Sequence, residues 1–267
     1  MAACVDHDVH VHTYLSDCCA DKEHHRPAAI LALAREMGVR TIGFSDHVWM
    51  NPAIEPSGWY RKQDATQITR LREDLSAIRT PVRVLVGCEA DMRAPGQFGI
   101  TRDFAATLDY TLLSCSHFHM RDFVEQPAGD TPGDLARHLL SFFTSGVASG
   151  VATSIAHPFL PCGHMAQYDA IVAAISDAAF ADAFGAAAAN RVAIEVTCAF
   201  LPPDDGPRTW SIETPARMLS LAKRAGCRFT FGSDAHCAEH QRKLPLLGRL
   251  IDVVGIGVED VHPLVRP

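Results

Sequence analysis

Two histidines lie two residues apart near the start of the chain, in the stretch Asp8-Val9-His10-Val11-His12. In an extended strand successive side chains point to opposite faces, so His10 and His12 share one face. Imidazole is the commonest metal ligand in proteins, and two on one face need only a third imidazole or a carboxylate to hold a divalent ion. The pair is also compatible with a polar strand end that binds no metal, so its meaning depends on what the rest of the chain supplies.

Seven apolar runs with the length of buried strands alternate with segments of helical periodicity. The first helix is the clearest, because Pro27 opens it and Gly38 closes it. This alternation, without a low-complexity linker, predicts one α/β domain over residues 1–267 with a mainly parallel sheet. The expected strands cover residues 4–12, 40–44, 82–87, 109–113, 151–155, 191–196 and 228–231, and the expected helices cover residues 27–38, 64–78, 132–145, 168–189, 214–225 and 244–254.

Polar residues cluster where the expected strands end. A histidine, aspartate or glutamate follows the carboxyl end of six of the seven strands. Barrels of alternating strands and helices assemble their active sites at that end, whereas an open doubly wound sheet gathers its polar residues at one crevice. The distribution therefore favours a barrel that resembles the TIM barrel.

The strand ends supply imidazoles and carboxylates, a donor set that favours Zn, Mn or Fe over calcium, because calcium prefers oxygen ligands. Nine ligands are too many for one ion, so we expect two or three divalent ions with carboxylates bridging between them. Closely spaced ions can activate water as hydroxide near neutral pH and bind the oxygens of a phosphoryl group. The candidate ligands are His10, His12, Asp17, His47, Glu89, His117, His157, Asp234 and His236, with His119 as an alternative to His117.

Six short motifs occur in order at these positions: HVH with a following Asp (10–17), SDH (45–47), GCE (87–89), SCSH (114–117), AHP (156–158) and GSDAH (232–236). Together they resemble the ordered motifs of the polymerase and histidinol phosphatase (PHP) superfamily. The resemblance spans residues 4–240. It implies a distorted (β/α)7 barrel with a trinuclear metal centre and phosphoesterase activity.

The resemblance also implies three metal positions. The first position would be held by His10, His12, Glu89 and Asp234, the second by Glu89, His117 and His157, and the third by Asp17, His47 and His236. Glu89, Asp234 and His236 are then the expected catalytic residues, at a centre where a metal-activated hydroxide attacks phosphorus. The segment SCSHFH carries an extra residue before its first histidine relative to the usual spacing. In an extended strand His119 would share a face with His117, so both stay open as the ligand.

Substrate-binding groups are harder to locate from sequence. A phosphate needs cations besides the metals, and five basic residues follow expected strands on the active-site side. We expect Arg61, Arg121 and Arg208 to bind substrate, while Lys62 and Arg93 are weaker candidates. An aromatic cluster either covers a small organic substrate or packs its own long loop on the barrel; it consists of Trp49, Trp59 and Tyr60. Glu195 ends a strand and could orient substrate or ligands.

Composition restricts the function further. A net charge of −7 and a pI near 6.0 make a nucleic-acid partner unlikely in electrostatic terms and disfavour an acidic membrane. The first residues lack the features of a signal peptide, no run of about 18 apolar residues occurs, and nine cysteines without a CxxC pair suit a reducing compartment. We therefore expect a cytoplasmic phosphatase for a small phosphate monoester such as histidinol phosphate, in an unknown oligomeric state. The alternatives are a nuclease of the same superfamily, an inactive metal-binding module, or a hydrolase of carbon–nitrogen or carboxylic ester bonds.

Overall fold

The computed structural model describes residues 2–203 and 210–266. Seven strands lie side by side in the order β1, β2, β3, β5, β6, β7, β8, each parallel to its neighbours, and the short β4 pairs antiparallel with the end of β3. The strands are β1 His7–Val11, β2 Thr41–Phe44, β3 Arg83–Ala94, β4 Gln97–Phe98, β5 Tyr110–Ser114, β6 Ser154–Ala156, β7 Ala193–Thr197 and β8 Phe229–Gly232.

The two outer strands of this order meet, which nearly closes the sheet into a barrel. Val11 forms a parallel bridge with Ala235, just past β8, and the backbone N–H of His12 donates to the Ala235 carbonyl at 3.0 Å. Helices lie between successive strands of the parallel sheet, as βαβ connections require. They are α1 Pro27–Glu36, α2 Ala65–Ser76, α3 Arg102–Ala105, α4 Pro132–Ala148, α5 Tyr168–Ala173, α6 Asp177–Asn190, α7 Glu213–Arg224, α8 Ala238–Gln241 and α9 Gly248–Val254.

This architecture confirms the predicted distorted barrel, with two local corrections. The third strand does not end at Gly87 but continues to Ala94, so Glu89 lies inside a strand rather than beyond one. The alanine-rich helix expected over 168–189 is two helices, because Ser176 caps a new one: its Oγ accepts from the backbone N–H of Ala179 at 3.2 Å.

No single helix among the described residues is long and apolar enough to cross a membrane, although the bent pair Met165–Ala173 and Asp177–Asn190 together meets the criterion by length and composition.

The first strand is buried along its whole length and carries an irregularity next to the histidines. Asp8 pairs with Ile42 and Val11 with Phe44, so β1 advances three residues where β2 advances two. Such a bulge re-aims the side chains beside it. The carboxylate of Asp8 stabilises this backbone, since its Oδ1 accepts from the N–H groups of His10 and Ser233.

Tyr110, the first residue of β5, reaches across the barrel to β1. Its hydroxyl donates to the Val9 carbonyl at 2.7 Å, and its ring is buried. Two neighbouring strands make room for the ring by having glycine there. A Cβ at Gly43 would lie 2.5 Å from the Tyr110 Oη, and a Cβ at Gly87 would overlap the ring itself. The absence of side chains at these two glycines is therefore what allows the barrel to close around Tyr110.

Replacing Gly87 with alanine should therefore destabilise the protein by about 1–3 kcal/mol, the usual cost of overpacking a core. Gly185 provides the matched control, because it lies inside α6 and an added Cβ would meet nothing within 4 Å. Gly185→Ala should stabilise by about 0.5–1 kcal/mol through helix propensity. Urea unfolding of the two variants measures both effects, and equal shifts in the same direction would contradict this account of the barrel.

Candidate metal centre

Four donor atoms from three parts of the chain converge at the carboxyl end of the barrel, and all of them belong to the predicted first position. The His10 Nε2 lies 3.2 Å from the His12 Nε2, 3.2 Å from the Glu89 Oε2 and 3.3 Å from the Asp234 Oδ1. The His12 Nε2 lies 3.3 Å from the same Glu89 oxygen and 3.4 Å from the same Asp234 oxygen. The structure thus brings together residues that lie more than 220 positions apart in the sequence.

These distances match the edges of a tetrahedron around a divalent ion. Zinc bonds of about 2.0–2.1 Å in a tetrahedral site give edges of about 3.3–3.4 Å between ligand atoms. The five observed separations fall between 3.2 and 3.4 Å. Hydrogen bonding alone does not explain the arrangement, because the Nδ1 of His10 is used by Glu195 and the two Nε2 atoms face each other. The residues fit a metal ion.

Glu89 extends the site, because its two oxygens face different imidazoles. Its Oε2 belongs to the first group, while its Oε1 lies 2.9 Å from the His157 Nε2 and 3.7 Å from the His117 Nε2. This is the arrangement expected if Glu89 bridges the first and second positions. The structure adds a donor that sequence reasoning missed, since Cys162 forms a group of suitable spacing with His117 and His157.

The geometry distinguishes the two histidines of the SCSHFH segment. β5 ends at Ser114, and His119 lies in the turn that follows, so the two do not share a strand face. His117 points inward, with its Nδ1 2.5 Å from the Asp91 carboxylate. His119 is exposed and stands at the cavity wall, with its ring centroid 5.0 Å from that of His117.

At the third position the predicted residues come together only in part. The ring of His236 stacks on His12 with centroids 4.5 Å apart, and that of His47 lies 4.8 Å from His12. Asp17 is not directed at them, since its carboxylate accepts from the Lys22 Nζ at 3.2 Å. Cys18 is the residue of this loop that lies in a group with His12 and His47, their donor atoms all being within 4.8 Å of one another.

Two buried carboxylates each orient a pair of groups. The Glu195 Oε1 lies 2.7 Å from the His10 Nδ1, and its Oε2 accepts from the backbone N–H of His157 at 2.6 Å. Asp91 similarly accepts from the Nδ1 of His47 at 3.2 Å and of His117. A carboxylate on Nδ1 fixes the tautomer in which Nε2 keeps its lone pair for a metal. The sequence prediction included Glu195 but missed Asp91, although the two-residue spacing from Glu89 in a longer strand would have revealed it.

The backbone is strained at two of the predicted ligands. His157 has φ of 29° and Asp234 has φ of 55°, in a region that residues other than glycine rarely occupy. Close packing also limits the neighbouring residue, because a Cβ at Gly232 would lie 2.6 Å from the His10 Cβ and would overlap the Glu195 carboxylate. Strain of this kind persists where surrounding contacts over-determine the conformation, and it concentrates at functional sites.

The ionisable groups of the centre perturb one another strongly. Burial would raise the pKa of Glu89, but the charges of His47 and His10 hold it well below its ordinary value. Burial would likewise lower the pKa of His10, yet the carboxylates of Glu195, Asp234 and Glu89 raise it well above the ordinary value. Opposite charges therefore balance one another here, and a metal that binds must displace imidazole protons.

The thiol of Cys18 follows the same pattern. Burial raises its pKa, but the charge of His12 and hydrogen bonds with His12, His236 and His47 outweigh burial and lower it to about 2. Asp8, below the centre, behaves differently: burial outweighs the hydrogen bonds from Ser233 and raises its pKa to about 6. Negative charge is therefore stabilised at Cys18 and Glu89, among the imidazoles of the centre, and not at Asp8.

The centre forms the floor of a cavity of about 810 Å³. Its walls are mostly apolar. Among residues 2–203 and 210–266, Lys243 is the one lysine or arginine that lines it. Arg61 lies outside the cavity, where it pairs with Glu55 at 2.8 Å, and Arg121 lines a separate surface groove with Arg93. Arg208 is outside the described residues.

The aromatic cluster divides between the two roles proposed for it. Trp49 is buried against Tyr60 and Phe123, and its Nε1 donates to the Ile54 carbonyl, so it packs the loop. Trp59 and Tyr60 line the cavity, with the Trp59 ring edge-on to His47 at 5.0 Å between centroids. Cys88 and Cys115 are buried, and the Cys115 thiol contacts Met92.

A nearly closed parallel barrel with imidazoles and carboxylates converging at the carboxyl ends of its strands defines a metal-dependent hydrolase. The family model described as PHP domain matches residues 8–199, so the chain belongs to the PHP domain family and is a metal-dependent phosphoesterase. This match confirms the resemblance found in the motifs.

Comparison with solved structures agrees on the fold. The structure of histidinol phosphate phosphatase (HisK) from Lactococcus lactis, complexed with Zn, L-histidinol and phosphate, superposes with a TM-score of 0.64 at 18% sequence identity, covering 95% of both chains. No curated protein matches this sequence.

The orienting role of Glu195 is testable with Glu195→Gln. An amide offers one acceptor and one donor, so it cannot accept from both the His10 imidazole and the His157 backbone N–H. We expect zinc affinity to fall about 10- to 100-fold, the usual cost of losing such a partner. Competition with a chromogenic chelator measures this. Glu23→Gln, at a side chain 86% exposed, is the control, and equal affinities of the two variants would contradict the role of Glu195.

Proposed function

We propose that this protein is a phosphatase that hydrolyses a small phosphate monoester of the histidinol phosphate type, at a centre of two or three divalent ions. The single observation that carries the proposal is the tetrahedral convergence of His10, His12, Glu89 and Asp234 on the floor of the cavity. The ions would be Zn, Mn or Fe, and when bound they supply an activated water and neutralise charge on the phosphoryl group.

The residues of this chain have distinct tasks in that reaction. Glu89, Asp234 and His236 would hold the metal ions next to the reacting phosphoryl group. Glu195 and Asp91 keep the Nε2 lone pairs of the imidazoles directed at those ions. Lys243 stands on the cavity wall, where its ammonium group can bind an anionic phosphoryl oxygen. Arg208 stays a prediction as a substrate-binding residue. The positions of Asp17, Arg61 and Arg121 do not support the roles predicted for them.

Size and charge of the site favour a small substrate. The cavity suits a ligand of drug-like dimensions, and its apolar wall of Trp59, Met165 and Trp210 suits an organic group attached to the phosphate. A nucleic acid requires several cations along a groove, and the net charge of −7 does not favour one. The Lactococcus protein was crystallised with L-histidinol and phosphate, which makes histidinol phosphate the first substrate to test.

We propose a cytoplasmic location, since all nine cysteines are free thiols, as expected in a reducing compartment.

The decisive experiment measures hydrolysis of a panel of substrates by protein loaded separately with Zn, Mn and Fe. The panel contains histidinol phosphate, an aryl phosphate monoester, an aryl phosphodiester, an aryl carboxylic ester and a single-stranded oligonucleotide. Phosphate release is the readout for the monoesters, release of the aryl alcohol is the readout for the aryl diester and the carboxylic ester, and fragment length is the readout for the oligonucleotide. We expect monoesters to be hydrolysed fastest, activity to vanish on chelation, and metal addition to restore it. Faster cleavage of the oligonucleotide would favour a nuclease, and no turnover of any substrate by fully loaded protein would favour a metal-binding module.

A matched pair of variants tests the role of the centre. Loss of an orienting partner costs about 10- to 100-fold. Asp234→Asn should lower turnover by more than this, because it replaces a charged metal ligand with a neutral amide. Asp252→Asn, at an exposed position of α9, should leave turnover unchanged. Circular dichroism verifies that both variants fold, and full activity of Asp234→Asn would contradict the proposal.

A further inference from the structure

The loop that follows β1 directs one side chain into the centre, and it is a thiol. The Sγ of Cys18 and the nearest nitrogens of His12 and His47 lie within 4.8 Å of one another. Cys18 and His236 line the same cavity. Asp17, one residue earlier, faces outward, where Lys22 pairs with its carboxylate.

The position of Cys18 is built into the loop by contacts on both sides of it. Before it, the backbone N–H of Asp17 donates to the buried Gln63 side chain at 3.0 Å, and the Ser16 Oγ accepts from the backbone N–H of His47 at 3.1 Å. After it, the Cys19 Sγ donates to the His236 carbonyl at 3.4 Å. The chain is therefore anchored to both histidines of the third position, and the residue between the anchors points at the metal centre.

We propose that the Cys18 thiolate, rather than the Asp17 carboxylate, is the ligand that completes the third position together with His47 and His236. The Nδ1 of His236 donates to the Asp234 carbonyl at 2.8 Å, and that of His47 faces Asp91, so each ring keeps its Nε2 lone pair. Binding joins Sγ to the metal and releases to solvent the protons that the thiol and imidazole donors carried. The inference rests on the proposed metal centre, but not on the identity of the substrate.

A sulfur ligand changes which ion this position prefers. Thiolate is a soft ligand that selects zinc, and cobalt as its spectroscopic substitute, over manganese, whereas a carboxylate there would accept manganese readily. The first position has two nitrogens and two oxygens. The two positions would therefore differ in metal preference within one cavity.

Cobalt provides a direct test, because a thiolate bound to Co²⁺ gives a charge-transfer band in the near ultraviolet and nitrogen or oxygen ligands do not. Cys162 belongs to the group at the second position, so the titration uses full-length Cys162→Ala protein freed of metal with a chelator. We expect the band to appear on loading with Co²⁺ and to saturate with a single equivalent. Cys18→Ser should remove the band. It should also lower the affinity for that equivalent of Co²⁺ by more than about 10- to 100-fold.

Two variants supply matched controls in the same background. Asp17→Asn and Cys4→Ala should keep the band, because the Asp17 carboxylate faces outward and Cys4 is an exposed thiol outside the centre. A band that survives Cys18→Ser, a band lost in Asp17→Asn, or cobalt bound without any band would overturn the inference. Labelling with a thiol reagent is a second measurement, and it needs no substitution at Cys18. In the Cys162→Ala protein, one thiol that reacts without zinc should be protected when zinc is bound. Equal labelling with and without zinc would also overturn the inference.

Neither measurement reads phosphate release. Protein that shows the band but hydrolyses no phosphate ester would contradict only the proposed function, and protein that hydrolyses esters but shows no band would contradict only the role of Cys18.

Discussion

The carboxylate of Glu89 is the group on which the rest of the centre depends. It is buried inside β3, with one oxygen among His10, His12 and His47 and the other facing His157 and His117. A carboxylate in such surroundings is stable only when opposite charges or hydrogen bonds compensate its desolvation. Here the compensation comes from five imidazoles carried by four strand ends. The barrel is what brings those strand ends to one point.

The orienting carboxylates extend this principle outward from Glu89. Asp91 lies two residues further along β3, so strand alternation places it on the same side, where it faces His47 and His117. Glu195, on β7, fixes His10 and the strained backbone at His157. Each orienting group therefore couples two ligands, so that moving one imidazole would disturb its partner. The close fit of Gly232 against Glu195 leaves no room for this network to relax.

Sequence reasoning was most reliable where regular structure sets direction. His10 and His12 were predictable as a pair because they follow alternation in β1, and the barrel followed from the order of strands and helices. The bulge at Asp8 was not visible in the pattern, since it depends on pairing with β2. Asp91 was missed because the predicted strand ended too early, at Gly87.

Loops limited the prediction for a different physical reason. Between Asp17 and Cys18 no periodicity decides which side chain points inward, and the answer depends on contacts from Gln63 and His47 that are distant in sequence. The same holds for substrate-binding cations, because the arginines were selected by their place after a strand. Arg61 instead pairs with Glu55, and Lys243, which lines the cavity, comes from the segment after α8.

Charge balance links the proposed ion count to the substrate class. The centre contains four carboxylates, those of Glu89, Asp91, Glu195 and Asp234. With neutral imidazoles as ligands, two divalent ions already balance these four negative charges, and a third ion leaves an excess of positive charge in a poorly solvated site. A thiolate at Cys18 offsets one of the two excess positive charges. The positive charge that remains attracts an anionic phosphate ester and gives a neutral ester or amide no such advantage. A three-ion centre built this way therefore favours phosphate esters over neutral substrates electrostatically.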